Sequence, residues 1–256
     1  MTLTLDDGLC LAAPGGAFDP RTGTLVVADV HAGYVRALQS SGHVLPGVDD
    51  RELLARLAAL RAMFTPKRVI VAGDVVHGPA ALRASAGAPS ALAVLLRAFE
   101  GCDALVVGGN HDRGLRAALR GSLVTFAERA SFGLHVVVHG DDVDLLRGER
   151  ALALRRGGRV VVGHHHPALT LRGADGARAK VMAFAWGPGF LCLPALTPFA
   201  RGADLLRDAD GEGLTAAVPA AELETAVLVG EQVVRTGRLD RLRALRRPAR
   251  RRRRAS

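Results

Sequence analysis

Cysteine is scarce. Cys10, Cys102 and Cys192 are an odd number set far apart, and none falls in a Cys-x-x-Cys spacing. That excludes a thiolate zinc site and a disulfide scaffold, and leaves three reduced thiols expected in the core. Long apolar runs are absent too. No stretch approaches the roughly 18 residues of a membrane span, and residues 1–10, with Asp6 and Asp7, lack the layout of a secretion signal. The expectation is a soluble, intracellular and cytoplasmic chain with no membrane partner. Aromatic residues make up 4% of the sequence, with one Trp and one Tyr. Base stacking is thereby disfavoured, and any nucleic-acid contact is expected to run through phosphate. Lysine is nearly missing, since Lys67 and Lys180 are the only two among 34 basic residues. This has the look of coding bias, and no function is drawn from it. No internal repeat of 20–50 residues occurs, which argues against solenoids and propellers.

Arginine is abundant and unevenly spread. Residues 241–256 hold nine arginines and no acid, so the 25 basic residues that remain in 1–240 balance the 25 acidic ones. The formal net charge of +9 therefore belongs to the end of the chain. We read 1–240 as one domain and 241–256 as a basic tail without fixed structure. Two roles stay open for it: a phosphate-binding anchor, or a solvated end with no partner. Leu239–Arg247 has the pattern of a short helix before Pro248.

The body of the chain, 49% apolar overall, alternates Val-rich runs with Ala/Leu/Arg segments of helical period. Strands are expected at Thr24–Ala28, Arg68–Ala72, Ala104–Val107, Leu134–Val138 and Arg159–Val162. Helices are expected at Asp50–Phe64, with a leucine stripe behind an Asp cap, and at Ser90–Phe99. Asp6-Asp7-Gly8 marks a hairpin between Thr2–Leu5 and Leu9–Ala12. Later strand-like pieces lie at Lys180–Ala185, Phe190–Leu193 and Ala226–Val234. The loops Gly78–Pro89 and Gly202–Gly213 are expected at the surface. The early runs are apolar without alternation, as in strands covered on both faces, which favours an α/β fold.

The residues just past each buried run carry the chemistry. The run ending at Ala28 delivers Asp29 and His31, and the run ending at Ala72 delivers Gly73, Asp74 and His77. Val107 is followed by Asn110, His111 and Asp112, Val138 by His139, and Val162 by His164, His165 and His166. Carboxyl ends of strands in such sheets converge on one crevice. In extended backbone, Asp29 with His31 and His164 with His166 would each project to one side. Carboxylate, amide oxygen and imidazole without thiolate suit Mn, Fe or Zn. There are more donors than one ion needs. Two ions about 3.5–4 Å apart would use them all and acidify a bridging water, which implies hydrolysis.

In order, Asp29-x-His31, Gly73-Asp74-x-x-His77, Gly109-Asn110-His111-Asp112, His139 and Gly163-His164-x-His166 resemble the five-part signature of the calcineurin-like metallophosphoesterases. That resemblance implies a four-layer αββα fold, a two-sheet β-sandwich flanked by helices, with a dinuclear centre. Carried over by position, one metal would take Asp29, His31, Asp74 and His166, and the other Asp74, Asn110, His139 and His164. His111 would protonate the leaving oxygen or stabilise charge on the transferring phosphoryl group, with Asp112 orienting its ring; His77 is read either as a group supporting Asp74 from behind or as polar loop packing. The segments Ala28–Tyr34, Gly42–Pro46 and Leu193–Pro198 are similar to the ligase-associated DNA-damage-response phosphoesterase (PdeM-type) branch and its archaeal relatives. That likeness implies a manganese-supported DNA-repair nuclease whose partners are a DNA ligase and a helicase. A phosphatase or phosphodiesterase for a small nucleotide or phosphoprotein, and a non-catalytic scaffold, are the alternatives. His165, between two ligands, is expected to face away. His43 and His135 are expected to be ordinary partly buried residues, and Trp186 and Phe190 to fill the core.

Overall fold

The computed structural model describes residues 1–43, 49–84, 89–173 and 175–246. Its first sheet has seven strands in chain order: β1 (Leu3–Thr4), β2 (Cys10–Ala12), β3 (Gly16–Asp19), β4 (Thr24–Val27), β5 (Arg68–Ala72), β6 (Asp103–Val107) and β7 (Val124–Ala127). β1 to β4 are antiparallel, which includes the hairpin at Asp6-Asp7-Gly8, and β4 to β7 are parallel. The second sheet contains β8 (Ala130–Phe132), β9 (His135–Val137), β10 (Val160–Val162), β11 (Pro167–Arg172), β12 (Arg178–Gly187), β13 (Phe190–Cys192), β14 (Ala203–Asp204), β15 (Glu224–Val229) and β16 (Gln232–Arg238). In its centre β9, β10 and β13 are parallel.

Alternation along these strands explains their unbroken hydrophobicity. Val26 and Ile70 turn inward to meet Val137, Val161, Phe184 and Leu191 of the other sheet, and this layer is the interior of the sandwich. Leu25, Val27, Val69 and Val71 turn the other way, against Leu53, Leu57 and Leu60 of helix α2 (Arg51–Phe64) and Leu95 of α3 (Ala91–Arg97). On the far side Val160, Val162 and Phe190 pack on Leu146 and Ala153 of α5 (Val143–Arg155) and on Leu239 of α6 (Leu239–Arg246). Helices α1 (Tyr34–Ser40) and α4 (Leu115–Ala118) follow β4 and β6. The result is the four-layer αββα arrangement, with both faces of the central strands of each sheet buried.

Some expectations need correction. Asp50 does not cap α2 with its side chain; Oδ2 instead accepts the Gly33 N–H at 2.9 Å, tying α2 to the start of α1. Ser90 does cap α3, its Oγ accepting the Ala93 N–H. Ala226–Val234 is two strands, β15 and β16, because Gly230 turns the chain at φ +56°. The two loops are not wholly superficial, since Ala81 and Leu205 are buried. Cys192 is buried, but Cys10 and Cys102 are only half-buried. His135 is buried and His43 exposed. Trp186 and Phe190 are buried in the sandwich and its outer layer. The first six residues of the basic segment 241–256 belong to α6. Residues 247–256, 85–88 of the loop 78–89 and 44–46 of the segment 42–46 lie outside the described residues.

Candidate metal centre

Parallel strands deliver their carboxyl ends to one edge, and here both sheets deliver to the same place. Beyond β4 and β5 the chain keeps pairing, with His31 N–H on Asp74 C=O at 2.8 Å and Ala32 N–H on Val75 C=O at 2.9 Å. Across the sandwich, His164 N–H donates to Asp29 Oδ1 at 3.0 Å. Leu196 N–H donates to Ala28 C=O at 2.8 Å, so the Leu193–Pro198 segment seals the same edge.

The backbone at this edge is not extended. Six non-glycine residues among those described have left-handed backbone, and five of them are Asp29, His31, Asp74, His164 and His166 (φ +43° to +62°). Each costs on the order of 1–2 kcal/mol relative to ordinary helix or strand. The pairs Asp29/His31 and His164/His166 therefore converge through alternate left-handed residues, not through the extended alternation expected from their spacing. Two glycines permit the approach. A Cβ on Gly73, itself at φ +80°, would collide with His139 Nδ1, and one on Gly109 would collide with Asp74.

Two groups of donor atoms result. Asp29, His31, Asp74 and His166 form one, and Asp74, His139 and His164 the other, each with its donor atoms within 4.8 Å. Asp74 belongs to both, with Oδ2 3.8 Å from His31 Nε2 and 3.5 Å from His139 Nε2. Its Oδ1 is held by the His111 N–H at 2.9 Å. Asn110 Oδ1 joins the second group, 3.0 Å from His139 Nε2 and 3.2 Å from His164 Nδ1.

A test of fit comes from where the protons must be. The Ala72 carbonyl lies 3.1 Å from His139 Nδ1 and can only accept, so in the neutral ring Nδ1 carries the proton and Nε2 the lone pair. That lone pair faces the carbonyl oxygen of Asn110 and the carboxylate of Asp74, two further acceptors, while His164 Nδ1 at 3.2 Å can supply a proton to the cluster in one of its tautomers. In the first group, Asp29 Oδ2 is buried without a hydrogen-bond partner, and buried His166 Nε2 has only Asp29 Oδ1, 3.4 Å away, in reach. Donors bound about 2.1 Å from one ion stand roughly 3.0–3.4 Å apart, close to the spacings seen here. Burial, reinforced by the rings of His166, His77 and His111 and only partly offset by Asp29, holds the His31 pKa down at about 3. Burial and His139 likewise lower that of His164. His31 and His164 are thus kept neutral, as a ligating imidazole must be, whereas in His166 burial is outweighed by the hydrogen bond and charge of Asp29, which raise the pKa. The residues fit a pair of divalent ions.

The other expected residues sit around these groups. His111 is exposed, its ring stacked on His77 at a centroid distance of 5.4 Å and edge-on to His31 at 5.3 Å. His77 places Nδ1 3.5 Å from His31 Nδ1 and so stands behind His31. Asp112 corrects the expectation that it orients the His111 ring. It is buried, with Oδ1 accepting from Val75 N and Val76 N (2.9 and 3.1 Å) and Oδ2 from Gly109 N (2.9 Å). It binds the loop after β6 to the loop after β5. Despite those three bonds, burial and the nearby Asp74 push its pKa up to about 6. His165 turns out of both groups, edge-on to His164, with burial and His164 lowering its pKa to about 4. Sequence reasoning missed Phe199, which lies parallel to Tyr34 at 6.0 Å and extends the row of rings from His111 and His77. Its one signal was its place directly after Leu193–Pro198.

Among solved structures, the Pseudomonas putida nuclease MPE superposes with a TM-score of 0.64 over 92% of this chain and 98% of its own, at 23% identity. The chain shares that protein's fold. Yfce, a phosphoesterase from E. coli (12% identity, 81% of this chain and 88% of its own), and a dimetal phosphatase from Danio rerio (13%, 84% and 95%) overlap more loosely, both with TM-scores of 0.33. No protein-family model and no curated protein matches the sequence.

Proposed function

We propose that this chain is a metal-dependent hydrolase of phosphodiesters, acting on nucleic acid. The carrying observation is the pair of donor groups that share Asp74, their carboxylate and imidazole atoms converging within 4.8 Å, with Asp29 Oδ2 buried and unpartnered among them. Its likeness in fold to a nuclease supports the same reading. Asp29, His31, Asp74 and His166 would hold one ion, and Asp74, Asn110, His139 and His164 the other. A bound pair supplies Lewis acidity toward phosphoryl oxygens and lowers the pKa of a water between them. Manganese is the ion we favour, with iron or zinc also suited to these donors.

The protein's own groups orient the donors and supply a proton. His139 keeps its proton on Nδ1 through Ala72 C=O, so Nε2 stays turned to the centre. His111, exposed at the mouth on a loop fixed by its N–H bond to Asp74, donates a ring proton to the departing alkoxide. Asp112 is a positioning residue, holding the two loops that carry Asp74 and His111. DNA repair beside a ligase and a helicase, in the cytoplasm, is the setting that the PdeM-type resemblance supports.

The test compares bis-p-nitrophenyl phosphate, p-nitrophenyl phosphate and supercoiled DNA on one sample, stripped and then reloaded with Mn, Fe or Zn. Turnover of the diester and nicking of the DNA, both restored by metal, are expected. Hydrolysis of the monoester alone would overturn the phosphodiesterase reading in favour of a phosphatase.

A further inference from the structure

The chain outside 241–256 is neutral in sum, yet its charges are not mixed evenly over the surface. In the β11–β12 hairpin, Arg172 and Arg178 are direct cross-strand partners, and Thr170 faces Lys180. Like charges placed opposite one another weaken a hairpin. Neighbouring charges, chiefly Arg172 and then also Arg207 and Arg246, hold the Arg178 pKa below its usual range. Two carboxylates face the cluster: Asp204, 3.3 Å from Arg246 and 3.5 Å from Arg207, and Asp208, within electrostatic reach of Lys180. Four cations of the body, Arg172, Arg178, Lys180 and Arg207, joined by Arg246 of the basic segment, thus stand against two acids; Asp204 pairs with Arg207 and Arg246, while Arg172 and Arg178 have no ion pair among the described residues.

The topology says where this excess lies. β12 is antiparallel to β13, so its Arg178 end is at the carboxyl edge of the second sheet, the edge that carries His164 and His166. Residues 178–182 pair with β11 alone; β15 joins only from Ala183 and β13 only from Ala185. The hairpin is therefore an arm projecting past that edge, and β11 leaves directly from His166. Phe184 and Trp186 point into the sandwich. Alternation by two carries Lys180 and Arg178 to the same side, and Arg172 with them. Lys180 Nζ donates to Gly202 C=O at 3.0 Å, and Gly202 packs against His166 C=O, Ala168 and Met182 at the foot of the arm.

We propose that this arm, with Arg207 and Arg246, binds the phosphate backbone of a polynucleotide whose scissile bond lies at the metal centre. From Ala168 to Arg172 is four residues, roughly 13 Å at strand rise. That is about four steps of a duplex strand at 3.4 Å each. A mononucleotide at the metals cannot reach it, whereas a polymer can, which makes the arm a determinant for long substrates. The phosphodiesterase reading says what the arm serves; its charge and position are independent of that reading.

The experiment uses the full chain and a fluorescein-labelled, phosphorothioate 30-bp duplex, with binding read by anisotropy between 50 and 300 mM NaCl. In parallel, turnover of bis-p-nitrophenyl phosphate is measured. The double variant Arg172→Ser, Arg178→Ser should bind the duplex at least tenfold more weakly at 100 mM NaCl. Its log K against log salt should be shallower by about 1.8, two phosphate contacts' worth. Diester turnover should stay within twofold of the unsubstituted chain, and the melting temperature should be equal or higher because the opposed pair is gone. Arg172→Lys with Arg178→Lys should keep the slope. Unchanged affinity and slope in the serine variant would overturn the proposal. So would unaltered duplex binding combined with lost binding to phosphatidylglycerol vesicles, which would make the arm a lipid contact. An intact salt-slope response in a protein with no diester turnover would instead count against the hydrolase reading alone.

Discussion

Asp112 touches three backbone N–H groups, and its carboxylate is the hinge between the Asp74 and His111 loops. Removing it in Asp112→Ala leaves those buried donors unpaired. A loss on the order of 3 kcal/mol in unfolding free energy is expected from urea titration; a loss below about 1 kcal/mol would mean that other acceptors take its place. His111→Ala should behave differently. Its ring is exposed and outside both donor groups, so metal content should be unchanged while diester turnover falls about 10²–10⁴-fold. Unaltered turnover would remove His111 from the chemistry. The identity of the donors was legible in the sequence because Asp29, Asp74, Asn110, His139 and His164 each come after a buried run, where a polar group needs a reason. The conformation that aims them was not. Asp and His give no sign that they will be left-handed, and the reading from extended alternation reached the right pairs by the wrong geometry. The role of Asp112 was hidden for a related reason: backbone N–H donors leave no mark in a sequence.

Among elements, the long parallel strands were legible because both faces are buried, and β5 matches its expected bounds. Short strands such as β7 and β14 carry few buried residues and owe their pairing to neighbours far along the chain, which a local pattern does not contain. β15 and β16 merged into one run because the polar break is only Gly230-Glu231-Gln232, with Leu228-Val229 before it and Val233-Val234 after it. Strand ends also set a sharp test. Gly73 closes β5 against the ring of His139, so Gly73→Ala should push that ring off the Ala72 carbonyl. We expect reduced metal content, read by elemental analysis, with loss from the Asp74–His139–His164 group first. Full metal content in this variant would show that the strand end can yield without disturbing the centre.

For the whole molecule, the metal-free chain should be acid-labile. His31 and His165 titrate at about 3 and about 4 when folded, against 6.5 otherwise, and Asp112 at about 6 against 3.8. Between pH 4 and 6 the unfolded chain thus binds two more protons through the histidines and one fewer through Asp112. For these three groups the balance of one proton makes stability fall by about 1.4 kcal/mol for each unit of acidification. The lowered His77, His135 and His164 add to that fall and the raised His166 and Asp50 oppose it, and urea midpoints across that range will check the sign. A flat profile would contradict the buried, neutral state assigned to these rings. The net charge of +9 gave no hint of the arginine arm, because the opposition of Arg172 and Arg178 is set by register, which only the folded sheet reveals.

A dinuclear centre requires Asp74 to serve two ions at once, and metal stoichiometry reaches that claim most directly. Protein stripped by chelation, reloaded with Mn and freed of excess should hold about two ions per chain by elemental analysis. Asp74→Ala should lose both, and His111→Ala should retain both. A single ion in the unsubstituted chain, or a count in Asp74→Ala that is unchanged, would contradict the shared-carboxylate centre.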